Sequence, residues 1–230
     1  MSEGGDTKLG EYQAIIRSIL SSFNNVSFYT VVESAVGRKI IPYDRDDPGD
    51  QQLVKEIGEV ADALVAKYRT NGITESVYKQ VMHRAPKNFR NNEAAVVVES
   101  EVEPTFKSLL PRLDCISRFE HLPGQGYPDT RITTKYEKTT YVEIKATTRP
   151  NEGSPRDFYF TPLESARGKI RESGHHFLLG FVMREDSPKS FITTGWKLVD
   201  LYRIRVSMKP EFNCDNLELY RTDTLISESA

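Results

Sequence analysis

The chain has 230 residues, and its 31 basic and 33 acidic side chains give a formal charge of −2, which excludes a histone-like polycation but not a local basic patch masked by acids elsewhere. Cys115 and Cys214 are too few for a disulfide scaffold or a four-cysteine zinc site and fit a reducing compartment. There is no apolar run of about 18 residues, and Met1–Gly10 is too polar for a secretory signal, so a soluble cytoplasmic protein with no membrane span is expected.

Helical periodicity dominates the first half. Leu9, Tyr12, Ile15, Ile16, Ile19 and Leu20 share one face of a helix over Lys8–Phe23. Val26–Val32 reads equally well as a strand or a buried helix. Asp50 is expected to cap a helix over Gln51–Arg69, with Asn71-Gly72 ending it. Thr74 caps a short helix over Glu75–His83. A basic loop, Arg84–Arg90, carries one aromatic, Phe89. Glu93–Leu110 reads as a further helix in which Pro104 is a kink or break.

Strands and aromatics dominate after about residue 112. Strands are expected over Asp114–Phe119, Thr130–Thr134 and Thr139–Thr147. Thr161-Pro162-Leu163-Glu164 is a capping box with proline at the first helical position, starting a helix to Ser173. His176–Arg184 reads as a buried strand, and Ser190–Thr194 and Leu198–Met208 as two more. The fold class is α/β (α+β): a central mixed sheet flanked by helices, with a mainly helical region over 1–90 and a sheet-bearing core over 91–230.

The chemistry concentrates in Tyr127–Thr147. If this segment is a hairpin turning near Tyr136, residue 129 falls opposite residue 143. Alternation along the strand puts Tyr141, Glu143, Lys145 and Thr147 on one face and the apolar Val142, Ile144 and Ala146 on the other. One face then enters a core while the other gathers Asp129, Glu143 and Lys145; a register slip of one residue would undo this. Two adjacent carboxylates suit Mg²⁺, which takes one or two carboxylates plus waters and a phosphate. A metal there would favour phosphodiester hydrolysis. The same residues also fit a hairpin with a solvated Glu–Lys ladder.

Tyr127-Pro128-Asp129 with Glu143-Ile144-Lys145 resembles the PD-(D/E)xK motif of the restriction-endonuclease-like nuclease superfamily. The order of helix, strand meander, helix and buried strand over about residues 93–184 is similar to that family's core. The resemblance implies that Asp129 and Glu143 ligate Mg²⁺ (Mn²⁺ can substitute) and that Lys145 is the catalytic lysine. It also implies a further carboxylate from the preceding helix. Glu99 and Glu103 both qualify, and Glu99 is preferred because it shares the stripe of Ala95, Val102 and Phe106. The chain is most similar to a type II restriction endonuclease, which implies double-stranded DNA as substrate and a homodimer. The region over 1–90 would then serve DNA recognition or dimerisation. A repair or phage-defence nuclease without a fixed site and a non-catalytic DNA-binding module are the alternatives.

Arg84, Lys87, Arg90, Arg149 and Arg156 are candidates for DNA phosphate contacts, as are Arg167, Lys169 and Arg171; a solvated surface explains these residues equally well. His175 and His176 are adjacent on a strand and so point to opposite faces, while His83 and His121 lack partners at ligand spacing. Zinc is not expected. No phosphate-binding loop, dinucleotide fingerprint or nucleophile elbow is present.

Overall fold

The computed structural model describes residues 3–22, 24–124, 126–148, 160 and 168–208. They fall into two compact units. One holds the described residues within 1–26 and 205–230, the other those within Ser27–Ile204.

In the smaller unit, helix α1 (Glu3–Ser22) exposes Tyr12, Ile15, Ile16 and Ile19. The unit's Val26 lies on the two-residue strand β1 (Val26–Ser27), which pairs with β7 (Arg205–Val206). Arg205 donates to the Asn25 carbonyl and side-chain oxygens, and the Ser207 hydroxyl donates to Asn24.

The larger unit contains helices α2 (Phe28–Val36), α3 (Pro48–Asn71), α4 (Glu75–Met82) and α5 (Asn91–Leu109). Its sheet contains β2 (Ile116–His121), β3 (Thr130–Thr134), β4 (Thr139–Thr147), β5 (His175–Ser187) and β6 (Ser190–Asp200), in the order β2-β3-β4-β5-β6. Only the central β4–β5 pair is parallel. Val142 and Ile144 of β4 and Phe177, Leu179, Phe181 and Met183 of β5 point to one side. There they pack with Leu53, Ile57, Val60 and Leu64 of α3 and Val97, Val98, Val102 and Phe106 of α5. The unresolved choice over Val26–Val32 falls mainly to helix: Phe28 and Val32, one turn apart, are both fully buried on α2.

Several expectations are corrected. Asp47, not Asp50, caps α3, accepting from the Asp50 N–H at 2.9 Å. The Asp50 carboxylate is buried and engages Lys138 and His175 at 3.2 Å each. Pro104 lies inside an unbroken α5; the Glu101 carbonyl in that turn accepts from the Thr105 hydroxyl at 2.7 Å. The two late strands are a single strand, β6, followed by a 3₁₀ turn over Leu201–Arg203 and β7. Of the helix expected over Pro162–Ser173, residues 162–167 lie outside the described residues, while Gly168–Ser173 is irregular.

Gly174 sets the approach of β5 to β4. A Cβ there would collide with the Thr139 carbonyl, immediately before parallel pairing begins at Thr140 and His175. Gly174→Ala is therefore expected to cost about 1–3 kcal/mol by overpacking, measured as a lower thermal midpoint.

Candidate active site

The site arises where the sheet splays. β3 begins at Thr130, opposite Val142, whereas β4 runs on to Thr147. Beyond Val142 the backbone N–H groups of Ile144 and Ala146 face the edge that β3 has vacated. Such groups need acceptors. The Asp129 carboxylate takes the Ile144 N–H and the Glu99 carboxylate takes the Ala146 N–H, each at 2.9 Å. Two acids are thereby fixed along the edge of β4 by its own unpaired backbone.

Glu143 and Lys145 project from the same strand. Lys145 Nζ lies 2.7 Å from Glu143 Oε1; the lysine side chain is 48% exposed and the glutamate side chain 7%. The other oxygen, Glu143 Oε2, is buried without a hydrogen-bond partner among the described residues. A buried carboxylate oxygen left in this way costs free energy unless something charged completes it. Burial, reinforced by Asp129, holds the Glu143 carboxyl above the usual range despite Lys145. Burial alone would lower Lys145, but its bond to Glu143 and the charges of Asp129 and Glu99 raise it instead. Lys145 is thus a firmly protonated ammonium among three carboxyl groups.

Glu99 is pushed up to about 7, mainly by burial, against the Ala146 N–H and Lys145. A carboxyl raised in this way favours the fold while protonated. Its contribution is complete below the ordinary value of 4.5 and is lost as pH rises through about 7. Glu99→Gln is therefore expected to matter little to metal-free stability near pH 5 and to raise it above pH 7, read as thermal midpoint against pH.

The hairpin has the register expected from the sequence: Thr130 pairs with Val142 and Arg131 with Tyr141, which leads Asp129 toward Glu143. The face that carries Glu143 and Lys145 is not wholly solvated, however. Tyr141 is buried, its hydroxyl accepting from the Arg171 and Glu172 N–H groups. Tyr127 OH and His176 Nδ1 lie 2.7 Å apart, beside Phe28 and Phe160. Aromatic residues thus seal the base of the face, while Leu178, Gly180 and Val182 of β5 remain half-buried farther along. Glu103 bonds to Lys107 at 2.7 Å, so of the two candidates on α5 Glu99 is the one beside Lys145.

Arg84, Lys87 and Arg90 are exposed. Their loop leads into the N-terminus of α5, where Asn91 bonds to Thr148, one residue past the end of β4, at 3.3 Å. Phe89 between them is not available for stacking on bases: it is buried against Tyr78 and Phe191. Arg149, Arg156 and Arg167 lie outside the described residues.

Sequence reasoning missed Glu56, which is 1% exposed and accepts from the N–H groups of Asp114, Cys115 and Ile116 at 2.7–2.8 Å. Its signal was present: it sits within the apolar stripe Leu53, Ile57, Val60.

Among the described residues no three His, Cys, Asp or Glu side chains converge as a metal-binding group. Asp129 and Glu143 are a pair of hard oxygen donors, one with a vacant buried lone-pair set, and such a pair fits an ion that takes only one or two protein carboxylates. A cavity of about 490 Å³ lies elsewhere, beside Thr139 and His175 at the start of β4 and β5; Asp50, its buried acid, is already engaged by Lys138 and His175.

No helix among the described residues is long and apolar enough to cross a membrane. Residues 21–223 match the type II restriction enzyme MjaV family. The type II restriction enzyme MjaV of Methanocaldococcus jannaschii is 29% identical over 225 residues, covering 95% of each chain. With a mixed five-stranded sheet flanked by helices beneath that match, the chain belongs to the MjaV family of type II restriction enzymes, which are endodeoxyribonucleases.

Proposed function

We propose that this protein cleaves double-stranded DNA at a defined sequence by Mg²⁺-dependent phosphodiester hydrolysis at Asp129, Glu143 and Lys145. The observation that carries this reading is the buried, unpartnered Glu143 Oε2 beside Asp129 and Lys145. Asp129 and Glu143 would hold a divalent ion, Mg²⁺ or Mn²⁺, which when bound would supply a water of lowered pKa and polarise the phosphate.

The protein's own groups do the rest. Ile144 N–H orients one Asp129 oxygen, leaving the other for the cation. Glu143 Oε1 holds the Lys145 ammonium, and the ammonium donates to a phosphate oxygen and offsets the charge that develops in the transition state. Glu99 completes the acidic edge. With no cation bound, its ionisation adds negative charge beside an incoming phosphate, so metal-free binding of DNA is weak.

Arg84, Lys87 and Arg90, at the N-terminal approach to α5, contact the DNA backbone, as do Arg149 and Arg156. The protein works as a homodimer in the cytoplasm, its two-fold axis matching a palindromic site and bringing one centre to each strand. Residues 1–90 serve recognition or dimerisation, and residues 91–230 carry the nuclease core.

Digestion of plasmid and phage DNA with Mg²⁺ and with EDTA tests the reading. Discrete fragments that require the metal are expected. A metal-dependent smear would show a nuclease without a fixed site, and persistent cleavage in EDTA would contradict the metal mechanism.

A further inference from the structure

The turn that presents Asp129 is held by a lysine from a distant part of the sequence. Lys169 Nζ donates to the carbonyl oxygens of Gly126 at 2.8 Å and Pro128 at 2.9 Å. These two carbonyls bracket Tyr127, which is buried with its hydroxyl 2.7 Å from His176. The turn needs such support. It precedes the first ladder residue of β3, Thr130, and Gly126 sits at φ 86°, in the left-handed region where glycine is conformationally free.

By sequence, Lys169 belongs to a basic run open to phosphate contact. Its geometry points elsewhere. An ammonium has three donors; two of those on Lys169 are engaged by the turn. The head of this side chain is turned onto the backbone that leads into Asp129.

We propose that Lys169 is a positioning residue of the catalytic centre, clamping Gly126–Pro128 so that Asp129 and Glu143 face one divalent cation at a fixed spacing. The inference rests on the proposed role of Asp129 and Glu143 as ligands. Misplacement of a reacting group by about 1 Å can cost about 100-fold in rate, and a loosened turn acts on Asp129 in this way.

The test is Mn²⁺ binding by calorimetry to the DNA-free protein, alongside single-turnover cleavage at saturating DNA and DNA affinity in EDTA. Lys169→Met, shown folded by circular dichroism, is expected to bind Mn²⁺ at least about tenfold more weakly and to cleave about 100-fold more slowly. Its metal-free DNA affinity should stay within about twofold of wild type. Lys169→Gln, which keeps amide donors but no charge, serves if the methionine variant does not fold, with at least about a threefold loss of Mn²⁺ affinity expected. Wild-type Mn²⁺ affinity in either folded variant overturns the proposal, and a loss confined to DNA affinity would make Lys169 a phosphate contact instead. If Asp129→Ala leaves Mn²⁺ binding of the otherwise wild-type protein unchanged, the ligand assignment itself fails, and the positioning role with it.

Discussion

Glu143→Gln is expected to lower DNA cleavage by about 1000-fold, roughly 4 kcal/mol of transition-state stabilisation, while leaving the metal-free protein at least as heat-stable as wild type at pH 8. Both halves follow from one geometry. The Glu143 side chain is 7% exposed, with one oxygen held by Lys145 and the other lacking a partner among the described residues. That arrangement suits the carboxylate to the proposed cation and also makes it costly to keep ionised. Burial raises its pKa, so its contribution to folding is present while it is protonated and is lost as pH rises through the raised value. A neutral amide of the same shape removes that loss. Lys145, nearly half exposed, can turn its charge to water. Activity measured beside thermal midpoints at pH 5 and pH 8 checks both halves; a variant that is inactive and also less stable at pH 8 would mean that Glu143 is a structural group.

Glu56→Ala is expected to have the largest effect on stability, about 3–5 kcal/mol and about 10 °C in thermal midpoint. Glu56 is the acceptor for three successive backbone N–H groups where the chain enters β2, and for the Gln52 amide at 2.8 Å. Alanine leaves these donors without a partner in the core. Burial opposes ionisation of Glu56, but the Gln52 and backbone donors outweigh it and hold the carboxyl below its ordinary value of 4.5. A group lowered in this way stabilises the fold above that ordinary value, and the contribution is lost as pH falls through the lowered one. The variant should therefore differ most from wild type at neutral pH and progressively less below pH 4.5. Residual folded protein should cleave DNA normally, because Glu56 is bonded to Asp114–Ile116 at the entry to β2 rather than to the residues around Asp129.

The β3–β4 hairpin was legible because strand alternation and a polar turn together leave few registers. Val142, Ile144 and Ala146 on one face demand a core, so Glu143 and Lys145 must share the other. Glu99 was legible for a related reason, as an acid inside an apolar helical stripe. Glu56 carried the same signal, but its partners lie 58–60 residues away in sequence, and nothing local identifies them. The aromatic cover formed by Phe28, Tyr127, Tyr141, Phe160 and His176 was illegible for the same reason, since it assembles from four distant segments. Asp50 misled because Asp47 and Asp50 both suit a helix start and both pair with Lys138; the tertiary contact of Asp50 with His175 decided between them.

The most direct test of the account is single-turnover digestion of a one-site DNA by wild type, Asp129→Ala and Lys145→Ala in Mg²⁺, with each variant's fold verified. The account predicts that both variants lose cleavage by at least about 100-fold and stay folded. Near-normal cleavage by either folded variant would contradict the assignment of the catalytic centre to the splayed edge of β4.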